Sequence, residues 1–156
     1  MRARAAAMLS ATLLMTSPGA VAKAPPAFPV GLYSNVRMSA ETGDLGGMEA
    51  NFFEDAGKHM VEFVWCEGWC NQTYKAEVTS TDDFFAFEYV EIYESGDRHI
   101  ENERHFIVRP LGKNKIKILA WQGRAVLVHD GEPQTLKRAK QTFGISVANS
   151  NDSQGN

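Results

Sequence analysis

The sequence has only two cysteines among 156 residues and no excess of positive charge. No apolar run approaches the roughly 20 residues that a membrane-crossing helix requires. Sixteen Lys and Arg stand against nineteen Asp and Glu, for a formal charge of −3. That balance argues against a nucleic-acid-binding protein, which needs a clustered positive surface to neutralise phosphates. Two cysteines are too few for a metal site made of thiolates alone, and their C-x-x-x-C spacing is not the redox C-x-x-C. The chain also lacks a G-x-S-x-G elbow, a P-loop, an H-E-x-x-H helix and a Rossmann glycine pattern. No carboxylate pair stands out as an acid and a base. The expectation is therefore a non-enzymatic protein without a cofactor.

The N-terminus reads as an address. Arg2 and Arg4 begin it, Ala5 to Met15 is mostly apolar, Ser17-Pro18-Gly19 breaks any helix, and Ala20-Val21-Ala22 supplies a small-x-small cleavage pattern. Residues 1–22 are expected to be a signal peptide, and no cysteine follows them to carry a lipid anchor. The remainder begins at Lys23, is more acidic once the two arginines are lost, and belongs in an oxidising compartment, secreted or periplasmic. There Cys66 and Cys70 form a local disulfide. Extended chain would hold their Cα atoms about 13 Å apart, whereas a disulfide wants about 5.5 Å. The chain must therefore reverse between them, and Gly68 can take the positive φ that a reversal needs.

After a proline-rich lead-in over residues 23–29, helical periodicity is nearly absent, and short alternating runs recur between turn signals. Strands are expected at Gly31 to Met38, around Met48-Ala50-Phe52, around Val61-Phe63-Trp65 and around Tyr74-Ala76-Val78. Others follow at Phe84 to Tyr93, Arg98 to Val108, Lys115 to Trp121, Arg124 to Val128 and Thr135 to Arg138. A direct Cys66–Cys70 pairing would put Phe63 and Tyr74 on opposite faces, so one bulge is expected near that loop. The shift from Phe85, Phe87 and Tyr89 to Val90 and Ile92 predicts a second bulge near Tyr89. Residues 147–156 read as a flexible tail. Short connections without crossover helices predict an all-β, antiparallel up-and-down meander of about eight or nine strands over residues 30–140. Closure into a small barrel removes the exposed edges, with a two-sheet β-sandwich as the alternative.

Gly31-Leu32-Tyr33 at the first strand and Arg138 at the end of the last resemble the small lipocalin-like (calycin) barrels. That superfamily has Gly-x-Trp at the first position and a basic residue over the first-strand aromatic. Tyr replaces Trp here, and the C-terminal helix of larger members is not expected. Gly31 to Asn35 with Gly43-Asp44 is also similar to uncharacterised secreted bacterial proteins, a likeness that implies no activity.

The candidate site follows from strand parity. His99, Glu101, Glu103 and His105 share one face. Glu103 and His105 are near enough to share an ion, but a solvated outer face has the same pattern, and no metal site is expected. Ile100, Asn102, Arg104 and Phe106 share the other face. An inward Arg104 needs an anionic partner, either Glu88 or Glu62 or a ligand carboxylate. Arg104 and Asn102 with Tyr33, Phe63, Tyr74 and Phe87 are the candidate ligand-binding residues for a small apolar or anionic molecule. Trp65, Phe85, Tyr89 and Phe106 would line the same interior, whether as a pocket or as a packed core. The other reading is a protein-interaction module, such as an inhibitor of a secreted basic enzyme like a lysozyme. It would act through Trp69 at the tip of the Cys66–Cys70 loop, with acidic charge speeding encounter.

Overall fold

The computed structural model describes residues 24–95, 97–122 and 133–152. The expected leader over 1–22 and the expected strand over 124–128 lie outside them. One antiparallel sheet forms, with strands β1 (Gly31–Ser34), β2 (Arg37–Met38), β3 (Leu45–Asp55), β4 (Lys58–Cys70), β5 (Tyr74–Glu77), β6 (Thr79–Ser80), β7 (Phe85–Ser95), β8 (Arg98–Pro110), β9 (Lys115–Gln122) and β10 (Gln134–Arg138). Its order is β5-β4-β3-β1-β10-β9-β8-β7-β6, with β2 also on β3. The first and last strands meet through Tyr33↔Arg138 and Ser34↔Lys137, which curls the meander into a nearly closed barrel rather than two packed sheets.

Two pairs of short strands are single strands interrupted. β1 and β2 keep one register on β3 (Gly31↔Phe52, Arg37↔Gly46). The break between them falls at Asn35, whose side-chain oxygen accepts the Met48 N–H at 2.7 Å and whose amide donates to Gln134 Oε1 at 2.8 Å. The stretch from β5 to β6 instead changes partners. β5 pairs with β4, the Val78 N–H still donates to His59 at 2.8 Å, and β6 then pairs with β7. One end of the seam is thereby laddered and the other is splayed.

Alternation fixes what lies inside. Met48, Ala50, Phe52, Val61, Phe63, Phe85, Phe87, Phe106, Val108, Ile116, Ile118 and Leu136 point inward and are buried. Small residues face large ones across the ladders, Ala50↔Phe63 and Phe106↔Ala120. The interior centre is consequently solid. Phe63 lies 5.2 Å from Phe87 and 5.3 Å from Phe106, and Phe87 stacks on Phe106 at 4.5 Å. At the laddered end Phe28 stacks on His59 at 3.8 Å and meets Phe85 and Phe52 edge-on, so the lead-in seals the barrel. Arg138 lies over the Tyr33 ring at 5.6 Å and donates to its hydroxyl at 3.3 Å. A Cβ at Gly31, where φ is +123°, would stand 2.5 Å from the Arg138 guanidinium, so only glycine leaves room for this cover.

Three expectations need correction or refinement. The β7–β8 ladder runs unbroken from Phe85↔Val108 to Ser95↔Arg98. No bulge sits at Tyr89, and Val90 and Ile92 are simply exposed on the outer face. Near the cysteines, Phe63 does pair with Tyr74, one residue out of step with a direct Cys66–Cys70 pairing, as the expected bulge requires. There φ of Gly68 is +77° and the two cysteine Cα atoms are 4.2 Å apart. Finally, the stretch from Val147 to Asp152, expected to be a loose tail, belongs to helix α1 (Gly144–Asp152).

The helix packs on the outside of the barrel, where Ile145 and Ala148 bury against Leu45, Val64 and the Cys66–Cys70 disulfide. Its anchor is Glu49 of β3, which is 0% exposed. The carboxylate accepts the N–H groups of Phe143 at 3.0 Å and of Ile145 at 3.1 Å. An anion here satisfies amides that a helix start leaves without partners and lies at the positive end of the helix dipole. Glu49→Ala should destabilise the protein by about 2–4 kcal/mol in urea unfolding, and Glu49→Gln by about half as much. Amide exchange at Ile145 should rise sharply in both variants.

Candidate functional site

A cavity of about 130 Å³ opens at the splayed end of the seam. It exists because β4, β7 and β8 run on past the start of β5, leaving side chains rather than a ladder to bridge the gap. Tyr74 of β5 meets Tyr89 of β7 with ring centroids 4.2 Å apart, and Phe63 lies 5.6 Å from Tyr89. Phe63 and Phe106 form the floor, Trp65, Tyr74 and Tyr89 the walls, and Glu67, Asn71, Gln72, Glu91 and Arg104 the polar rim. The loop carrying Asn71 and Gln72 is steadied by the helix, since the Thr73 hydroxyl lies 3.0 Å from Asn149 Oδ1.

Arg104 does point to this end, but its partner is neither Glu88 nor Glu62. Its Nε donates to Glu91 Oε2 at 3.3 Å. Glu91 shares the inward parity of Tyr89, whereas Glu88 is on the outer face beside His105, 3.0 Å from His105 Nδ1. Glu62 faces outward on β4 and lies 3.7 Å from Lys75. Across the rim, Glu67 Oε1 accepts the Trp65 indole N–H at 2.9 Å. Two carboxylates thus share the rim with one guanidinium.

Of the six candidate ligand-binding residues, the structure brings Arg104, Phe63 and Tyr74 together at this cavity. Asn102 is half-buried and pairs with Glu91 across the ladder, one step further along β8 from Arg104. Phe87 is buried in the solid centre beneath the floor, where it can support a ligand but not touch one. Tyr33 belongs to the opposite end, under Arg138. Glu67, Asn71, Gln72 and Glu91 were not anticipated. Glu91 was legible as an inward carboxylate once β7 was read without a bulge. The other three lie on the strand end and loop around the disulfide, where alternation gives no direction. Trp69 is 44% exposed at the disulfide-held turn. His99 and Glu101 are exposed on the outer face of β8, 3.3 Å apart. Among the described residues, no group of three His, Cys, Asp or Glu converges as a metal site.

No family model, curated protein or solved structure matches the chain. What the cavity can do must be argued from its chemistry.

The Tyr89 hydroxyl is buried at the cavity wall. Burial, and secondarily the Tyr74 hydroxyl beside it, push this phenol well above the ordinary tyrosine range. Its raised folded-state pKa means that the unfolded chain releases this proton at a pH where the folded protein keeps it. Stability should therefore be unaffected by this group up to about pH 10, and should fall as the pH rises further. Urea midpoints measured across that range should show the decline, and Tyr89→Phe should flatten it.

Proposed function

We propose that the protein is a secreted, non-enzymatic barrel that holds a small single-ring molecule in the cavity at its splayed end. The observation that carries this reading is the cavity itself, with aromatic floor and walls beside a charged rim. A dry engineered cavity of about 150 Å³ accepts benzene, so about 130 Å³ suits one ring and excludes a long acyl chain. Trp65, Tyr74 and Tyr89 supply faces for a ring, and the rim supplies hydrogen-bonding groups that orient its substituents. Because Glu91 already answers Arg104 and Glu67 adds a second carboxylate, the rim favours an uncharged or cationic ring over an anionic one.

Secretion is supported by the leader-like residues 1–22 and by the Cys66–Cys70 disulfide. Kinship with the lipocalin-like barrels is supported by the nearly closed up-and-down meander and by Arg138 covering Tyr33 from the last strand. The outer helix α1, which the sequence reading lacked, removes one of the departures from that family.

Trp65 reports on occupancy. Titration with phenol and benzylamine should shift its fluorescence, and benzoate should bind about ten-fold more weakly. Tyr74→Ala should weaken the bound ring by about ten-fold, a loss common for one good aromatic contact, whereas Arg104→Met, which releases the Glu91 carboxylate, should tighten benzylamine relative to phenol. Native mass spectra without any bound mass, together with no spectral response to any of the three rings, would remove this reading.

A second reading is favoured by Trp69, which is exposed on a turn fixed by the disulfide and by α1. An ordered exposed Trp is suited to fill a pocket on another protein, here an inhibited basic secreted hydrolase such as a lysozyme. In that case the protein inhibits the hydrolase and Trp69→Ala abolishes inhibition, while ring binding at Trp65 is unchanged. Equal inhibition by Trp69→Ala would exclude the turn as the contact.

A further inference from the structure

The acidic net charge conceals a sharp separation. Residues 24–108 contain sixteen acidic and five basic side chains, whereas residues 109–140 contain eight basic and two acidic. The fold places the described basic side chains of this segment on β9, β10 and the β8–β9 loop, one side of an end whose other turns carry Glu54, Asp55, Asp82 and Asp83. Arg109 lies directly across from Lys117, and Lys115 directly across from Lys137. The hairpin loop between β8 and β9 adds Lys113. It sits against the end of β10 through the Arg138 N–H, which donates to Asn114 at 2.8 Å, and Lys140 follows just beyond. Lys113, Lys115, Lys117, Lys137 and Lys140 are all exposed. None of them makes an ion pair among the described residues, although the acidic part of the chain forms several. Like charges directly opposite on neighbouring strands oppose folding. Arg109 lies over the Phe84 ring at 6.0 Å, but among the described residues the lysines make no ion pair or ring contact that would offset their repulsion.

Two aliphatic side chains stand among these cations. Leu111, at the loop beside Lys113, is 50% exposed, and Val30, across the groove from Lys113 and Arg138, is 48% exposed. That groove, about 590 Å³ and walled by Pro26, Pro29 and Pro110, is continuous with the cleft between Lys115, Lys137 and Lys140 through Asn114 and Arg138. Exposed aliphatic side chains beside Lys113 and Arg138 suit a surface that is anionic outside and hydrocarbon beneath. A nucleic acid would use the cations but would ask for aromatic stacking platforms where Val30 and Leu111 stand.

We propose that the β8–β9 loop and the β9–β10 face dock on an anionic phospholipid bilayer, with Lys113, Lys115, Lys137 and Lys140 at the headgroups, Leu111 and Val30 entering the interface, and the acidic β3–β4 and β6–β7 turns tilted away from it. The docked face lies opposite the splayed end, so a bound barrel presents its cavity away from the lipid.

The test is flotation with vesicles of phosphatidylcholine alone and of phosphatidylcholine mixed with phosphatidylglycerol. Binding is expected to the anionic vesicles and not to the neutral ones. It should decay as NaCl rises from about 0.1 M to about 1 M, over which the screening length shrinks from about 10 Å to about 3 Å. Combined Lys113→Glu, Lys115→Glu, Lys137→Glu and Lys140→Glu should lower the vesicle partition coefficient by at least about 100-fold. Leu111→Ser should lower it by about three- to ten-fold without altering the salt dependence. The salt titration of the unaltered protein asks the same question should the quadruple variant fail to fold. Equal binding to neutral vesicles, indifference to salt, or binding of heparin or DNA without binding of anionic vesicles would each overturn the proposal.

Discussion

The contact among Phe63, Phe87 and Phe106 is the constraint from which the rest of the molecule follows. A barrel of about eight strands has an interior just wide enough to be filled by its own side chains. Here three rings from β4, β7 and β8 meet at 4.5–5.3 Å and fill it. Each buried phenylalanine contributes about 1.5–3 kcal/mol by removal of its surface from water. The alanines opposite two of them show that ring volume, not hydrophobicity alone, sets the pattern. With the centre occupied, a cavity can form only at an end, and the two ends are finished differently.

The outer layer depends on an equally specific device. Helix α1 has little intrinsic tendency to form, since Gly144, Ser146, Asn149 and Ser150 are poor helix formers, and it depends on the barrel that buries Ile145 and Ala148. It is held by Glu49 at its start and by close approach at Gly144, where a Cβ would lie 3.0 Å from Val64 and 3.4 Å from the Cys66 sulfur. The disulfide therefore has two duties. It closes the reversal after Gly68, and it forms part of the floor on which the helix rests. Through Thr73 and Asn149, the same helix steadies the loop that rims the cavity.

What was legible in the sequence was whatever strand parity carries. Inward Phe63, Phe85, Phe87 and Phe106, outward His99 and Glu101, and Arg138 over Tyr33 could all be read from alternation or from the first-and-last-strand resemblance. Other interactions between elements distant in sequence, for which no resemblance stood, were not. Glu49 looks like any outward carboxylate on β3 until a helix from nearly one hundred residues later covers it. Val90 and Ile92 mimic a phase change because apolar residues can lie on an exposed face without any change in the ladder. The partner switch at Val78 is equally hidden, since one short stretch pairs with β4 and then with β7, a choice made by barrel closure rather than by local sequence. The charge separation at Arg109 was readable but was masked by summing over the whole chain.

That separation and the partner switch have one geometric consequence. The stretch from β5 to β6 ladders the seam only where it can reach both β4 and β7, which is the end that Phe28 and Arg138 seal. Beyond Tyr74 the strands separate, and polar rim residues such as Glu91 and Arg104 can point inward there because water reaches them. The same two groups at the sealed end would be buried at a cost that their mutual attraction does not offset. Closure of the barrel thus sorts its polar chemistry by end. The half-wet end accommodates an ion pair, two tyrosines and a ring-sized cavity. The sealed end keeps its charge on the outside, where Lys113, Lys115 and Lys137 stand on one side and Glu54, Asp55, Asp82 and Asp83 on the turns of the other.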